Sequence, residues 1–277
     1  MRLAEIYHLL QHDALLCGND YRETLLNLLG EHRELDRIEF KHKRSGMVKS
    51  GQELEVQDAE IRDGVCIIPV GGPLAINLGE FEKGAGAVDM DDISAEIDEA
   101  ELDDEVKSIV MNFDSPGGTY NGTFELCDRI MQAEKPVYAF TRGTMCSGAY
   151  ALALACQNGI FATPSARVGN IGVYTVVNDL SRMAEMKGIK VKVISSGPIK
   201  GLLTPGTSLT PEQELFLQKD VMEKAKTFFN YVQKNRSVIS TEDMGGQFYS
   251  GMPAVEHGFV DSLISGMDEL LEFLQAE

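Results

Sequence analysis

The chain has 277 residues and a formal net charge of −18. That length suffices for one large domain, or a domain with an appendage, and for a sizeable core. The acidity argues against nucleic-acid phosphate or an anionic membrane as the main partner. The five cysteines, Cys17, Cys66, Cys127, Cys146 and Cys156, contain no CxxC pair. This excludes a disulfide framework and a zinc pattern and fits a reducing compartment.

In residues 2–40, Leu3, Ile6, Leu9 and Leu10, then Leu25, Leu26, Leu28 and Leu29, recur at helical spacing. The pattern predicts an N-terminal helical segment over 1–40, broken near Gly18 and Asn19. Glu5, His8, Gln11, His12 and Asp13 interrupt any signal-peptide core, and no run of about 18 or more apolar residues occurs. No membrane anchor is expected, and the cytoplasm is the default location. Residues 41–60, KHKRSGMVKSGQELEVQDAE, offer little to bury and read as a linker, leaving 61–277 as the main domain.

From Gly64 the pattern becomes strand–turn–helix. Residues 65–70 (VCIIPV) form a strand ending in Gly71-Gly72-Pro73, and 90–105 a helix with Ile93, Ile97 and Leu102 on its buried face. A strand over 108–113 ends at Asp114-Ser115-Pro116-Gly117-Gly118. A helix over 123–133 leads to a strand over 137–140, which feeds Gly143-Thr-Met-Cys-Ser147-Gly148 and an Ala/Leu-rich helix. Next come a strand over 160–162, the glycine-rich 168–173 (VGNIGV), a helix over 178–187, a strand over 191–194 and a loop over 195–209. Thr210, Pro211 and Gln213 make a capping box for a helix to about 234, burying Phe216, Val221, Ala225, Phe228 and Val232. A strand near 248–249 and two further helices close the chain. Strands alternating with helices predict an α/β fold with a largely parallel sheet.

Both glycine turns fall at strand carboxyl ends, where α/β sheets place their sites. Ser147 precedes a helix, so its hydroxyl is either an N-cap or a nucleophile beside unpaired N–H groups at the positive end of the helix dipole. Gly117 and Gly118 are either a turn that geometry requires or a pair of exposed backbone donors. His8, His12, His32 and His42 lie in the N-terminal segment or linker, and His257 in a polar stretch read as solvated. No Ser-His-Asp triad or GxSxG elbow is therefore visible. A lysine can replace histidine where burial favours its neutral form. Lys200, flanked by Ile199, Leu202 and Leu203 after a predicted strand, is the candidate.

In order, Asp114-Ser-Pro-Gly-Gly118, Met145-Cys-Ser-Gly-Ala149, Val168-Gly-Asn-Ile-Gly-Val173, Ser196-Gly-Pro-Ile-Lys200 and the tail FYSGMPAVEHGFVD over 248–261 resemble one family. It is the signal peptide peptidase A family of serine–lysine peptidases, which includes phage prohead (capsid maturation) proteases. The resemblance covers about 64–264 and implies Ser147 as nucleophile and Lys200 as general base. It implies an oxyanion hole from the N–H groups of Gly117 or Gly118 and of Gly148. It also implies a crotonase/Clp-protease-like spiral of ββα-type units, assembly into a homo-oligomer with composite sites, and a polypeptide substrate, without cofactor or metal. The missing anchor favours a soluble or phage-type member, in the cytoplasm or a procapsid. Cys146 is a weaker alternative nucleophile. Two other functions fit the same architecture: a crotonase-superfamily acyl-CoA hydratase or hydrolase, and a catalytically silent oligomeric scaffold.

Overall fold

A computed structural model describes residues 59–276 together with one two-residue strand, Leu15–Leu16 (β1). The rest of the predicted N-terminal helices, and the linker up to residue 58, lie outside the described residues. Leu15 and Leu16 fall in the stretch read as helical but form a strand, because they find a sheet edge to pair with.

The central sheet is built from β2 (Glu60–Arg62), β3 (Val65–Gly71), β6 (Ser108–Ser115), β8 (Val137–Cys146), β10 (Arg167–Gly169) and β11 (Phe248–Tyr249). Its order is β11-β10-β8-β6-β3-β2, with β9 (Ile160–Ala162) beside the first half of β8 and β12 (Ser262–Leu263) beside β9. The pairs β3–β6, β6–β8, β8–β9, β8–β10 and β9–β12 are parallel; β2 and β11 add antiparallel edges. A smaller sheet, in the order β1-β7-β4-β5, joins Leu15–Leu16 to β7 (Gly118–Thr119), β4 (Leu74–Ala75) and β5 (Val88–Asp89).

Alternation along the strands gives the central sheet two buried faces, which is why 65–70 reads as an unbroken apolar run. Cys66, Ile68, Val70, Ile109, Met111, Phe113 and Ala139 enter the larger core. There they meet α2 (Met90–Leu102), α3 (Thr123–Met131), α4 (Gly148–Ala155) and the second half of α6 (Pro211–Asn235); a short α1 (Glu80–Gly84) precedes β5. Val65, Ile67, Val110, Tyr138 and Phe140 enter the smaller core with Leu270 and Leu271 of the final helix, α8 (Met267–Ala276), which follows the short α7 (Met252–Glu256).

Three local expectations are corrected. Leu102 is 84% exposed; five residues after Ile97 it has turned about 140° away from the buried stripe. Phe216 is 46% exposed, because only Ala225, Phe228 and Val232 of α6 are buried; the first half of that helix projects past the core. The strand expected over 191–194 is absent. Between β10 and α6 the chain is irregular except for α5 (Ser181–Met186), and Val193 and Ile194 are 42% and 89% exposed. The capping box on α6 forms as expected: Thr210 Oγ1 accepts from Gln213 N at 3.3 Å, and Thr210 N donates to Gln213 Oε1 at 3.1 Å.

Candidate active site

Parallel pairing of β6 and β8 runs from Ile109↔Val137 to Phe113↔Thr141, then slips, resuming at Ser115↔Met145. The bulge is fixed from within. Asp114 Oδ1 accepts the Thr144 N–H at 3.0 Å, and Thr141 Oγ1 accepts the Gly143 N–H at 3.0 Å. A Cβ on Gly143 would stand 2.3 Å from Asp114 Oδ1, so a larger residue there must push the carboxylate off the Thr144 N–H. Beyond the bulge β8 exchanges its neighbour β9 for β10, with Gly169 opposite Cys146. Ser147 N then donates to Gly169 O at 2.7 Å.

Ser147 follows β8 directly and takes φ 55°, ψ −121°, a conformation disfavoured for an L-residue and costing about 1–3 kcal/mol. It occupies the N-cap position of α4, yet its side chain makes no capping bond. Of the two readings open from sequence, the capping one is not what the hydroxyl does. The strain is held by α4, in which every residue is buried, so it behaves as a core helix that cannot shift. Tyr150 anchors it: its hydroxyl donates to Phe259 O at 2.9 Å and its ring lies 5.3 Å from that of Phe259. Gly148 opens the helix, so its N–H has no intrahelical acceptor.

The second glycine turn lies alongside, with β7 packed against α4. Ser115 Oγ donates to Gly72 O at 2.6 Å and accepts from Gly117 N at 3.2 Å; Gly72 N donates to Asp114 O at 3.0 Å. The Gly71–Gly72 and Gly117–Gly118 turns thus brace one another. Gly117 has φ 97°, and a Cβ on Gly118 would stand 1.8 Å from Leu74 O. Geometry demands both glycines, and the same geometry sorts the two as donors. Gly117 N is already engaged. Gly117 O accepts from Leu74 N at 2.9 Å, and in the trans peptide that follows the Gly118 N–H points the opposite way, away from β4. Sequence reasoning passed over Ser115 and Asp114. Their signal is a polar pair immediately before the glycines, where side chains can bond the turn's own backbone.

Cys146 is buried, and that burial pushes its thiol up to about 12, so it is held neutral beside Ser147. Lys200 is exposed, in a turn where its own N–H donates to Gly197 O at 3.2 Å; no hydrogen bond joins it to Ser147. Within one chain the structure brings together Ser147, Gly148 and Gly117–Gly118, but not Lys200. His257, read as solvated, is 42% exposed at its side chain, stacks on Tyr249 at 4.3 Å and sets Nδ1 3.0 Å from Asp243 Oδ1. The Tyr249 hydroxyl donates to the same oxygen at 2.5 Å. With its hydroxyl bond to Tyr249 leading, this network holds the Asp243 carboxyl down at about 2. It fastens β11 onto β10, the strand whose Gly169 carbonyl holds Ser147.

A rigid α/β frame thus sets a strained, uncapped serine beside two glycine turns at the carboxyl ends of parallel strands. The pattern of peptidase family S49 matches residues 129–277, more than half of the chain, and the chain belongs to that family. It is 28% identical over 75% of its length to the head-tail preconnector protein GP5 of Enterobacteria phage P21, of which it covers 42%. It is 27% identical over 78% of its length to capsid assembly protease C of Escherichia phage lambda, of which it covers 50%. A putative signal peptide peptidase SppA of Enterococcus faecium is 30% identical over 63% of the chain, which covers 52% of that protein. The chain thus spans about half the length of these relatives. Among the described residues no helix is long and apolar enough to cross a membrane.

Proposed function

We propose that the protein is a serine endopeptidase in which Ser147 attacks the peptide carbonyl and Lys200 is the general base and later the general acid. The Gly118 and Gly148 N–H groups receive the oxyanion, and Gly117 frames the hole. The strained, uncapped serine at the strand–helix junction, beside the two glycine turns, carries this reading. Ser147 loses its proton as its Oγ bonds the substrate carbonyl carbon, and the leaving amine takes that proton. Water then hydrolyses the ester. Each oxyanion donor is worth roughly 3–4 kcal/mol in comparable enzymes.

Lys200 reaches its partner in an assembly. Its loop is exposed and stands among Ile189, Val193 and Ile194, which are also exposed, so packing against a second copy would bury those side chains and desolvate a lysine there. The domain adopts the crotonase/Clp-like spiral, and the homo-oligomer carries composite sites. The phage relatives align over three quarters of the chain, so the substrate is a capsid or scaffold polypeptide and the place of action a procapsid.

The test is fluorophosphonate labelling and peptide cleavage by the wild type, Ser147→Ala and Lys200→Ala. Each variant should fold and lose cleavage, and mixing the two variants should restore part of it. Full activity in Lys200→Ala removes the dyad; labelling of Ser147→Ala removes the nucleophile.

A further inference from the structure

Between Phe113↔Thr141 and Ser115↔Met145, β6 has one residue, Asp114, where β8 has three, Arg142, Gly143 and Thr144. The two extra residues keep Met145 on the core face that Ala139 already occupies, because a shift of two preserves the alternation of a strand. What they change is reach. Unbroken pairing would set Ser115 against Gly143 and, at about 3.3 Å per residue, carry Ser147 about 7 Å further past the end of β6. By count, the slip sets Ser147 level with Gly117; without it the serine would stand level with Thr119. The bulge therefore decides whether the nucleophile meets the glycine turn.

The Thr141 Oγ1 bond to the Gly143 N–H shapes the bulge within β8 but does not tie it to β6. Asp114 does. Its Oδ1 accepts the Thr144 N–H at 3.0 Å, and its carboxylate lies over Gly143. Its main-chain carbonyl takes the Gly72 N–H at 3.0 Å, and Gly72 O in turn holds the Ser115 hydroxyl that braces Gly117. One residue thus anchors both the strand that delivers Ser147 and the turn beside it. Building on the peptidase reading, we propose that Asp114 is the positioning residue of the nucleophile: its carboxylate selects the slipped register of β8 and with it the placement of Ser147. Because this bond is exposed, it adds little to stability, so its loss should appear in turnover rather than in unfolding.

The test compares peptide hydrolysis, fluorophosphonate labelling and thermal unfolding of the full chain as wild type, Asp114→Asn, Asp114→Ala, Gly143→Ala and the Asp114→Ala/Gly143→Ala double variant. Asp114→Ala should lower kcat about 10²-fold with KM little changed and slow the labelling of Ser147 in step. Its thermal midpoint should stay within about 2 °C of wild type. Asp114→Asn keeps the acceptor oxygen without the charge and should retain most of the wild-type kcat. Gly143 does not have a positive φ, and the atoms nearest to an added Cβ all belong to Asp114. Gly143→Ala should therefore match Asp114→Ala, and the double variant should be no slower than either. A wild type that cleaves and labels beside an equally fast Asp114→Ala overturns the positioning role alone. So do an Asp114→Asn as slow as Asp114→Ala, additive losses in the double variant, or a fall in kcat that tracks a loss of folded protein. A wild type that neither labels nor cleaves any peptide overturns the peptidase reading along with it.

Discussion

The residues that hold Ser147 and those that carry Lys200 are built on opposite principles. From β6 through β10 nearly every apolar side chain is buried, and the two glycine turns are tied to each other and to the sheet by bonds of 2.6–3.2 Å. From residue 181 to the first half of α6 there is one short helix with no buried residue, and Met186, Ile194 and Met222 are 82%, 89% and 62% exposed. One half of the site is preorganised inside a single chain. The other half presents apolar surface that the described residues leave uncovered. On the mechanism proposed above, the contrast means that the nucleophile and oxyanion donors would come with the fold, whereas the base would be supplied on assembly.

The sharpest way to break the ordered half is Gly118→Ala. Its methyl would overlap Leu74 O, so the small sheet must shift, at about 3 kcal/mol or more of stability. Displacing one oxyanion donor should also lower kcat by roughly 10²–10³-fold, read in peptide hydrolysis and thermal unfolding. In the exposed half, Ile194→Asp should leave unfolding free energy within about 0.5 kcal/mol of wild type. Sedimentation should nevertheless show smaller species, with hydrolysis falling in step. Unchanged assembly and activity would undo the contrast.

Tyr150→Phe tests the frame without touching the reacting groups. It leaves the buried Phe259 carbonyl without its donor, which should cost about 1–3 kcal/mol in urea unfolding, with kcat per titratable active site unchanged. The smallest effect concerns pH. Asp243 titrates at about 2 in the fold against 3.8 ordinarily, chiefly through the Tyr249 hydroxyl. The fold thus favours the carboxylate, and that stabilisation is complete above about pH 4 and lost as pH falls through about 2. Thermal midpoints between pH 4 and 2 should fall less steeply in Asp243→Asn than in wild type.

Much of the ordered half was legible in the sequence, because local and global demands agree there. The apolar runs, the glycines at strand ends and the Ala/Leu helix after Ser147 each fit only one arrangement. The exposed half was misread for a physical reason. Val191, Val193 and Ile194 carry the β-branched pattern of a strand, but a strand needs a neighbour, and none pairs with them among the described residues. The same rule explains Leu15–Leu16, which fall within the stretch read as helical and pair instead with the edge of β7. His257 was set aside as a lone polar residue; nothing in its spacing announces Asp243, fourteen positions earlier, as its partner.

The peptide unit between Gly117 and Gly118 does two jobs at once. Its carbonyl closes the ladder to β4, and its N–H looks into the groove. If that N–H is the oxyanion donor proposed above, it cannot be retuned without loosening the sheet that carries it. On warming, activity and the small sheet should then vanish together, with no inactive but intact form between them, so that on the proposed mechanism heat tolerance and catalytic competence would be one trait.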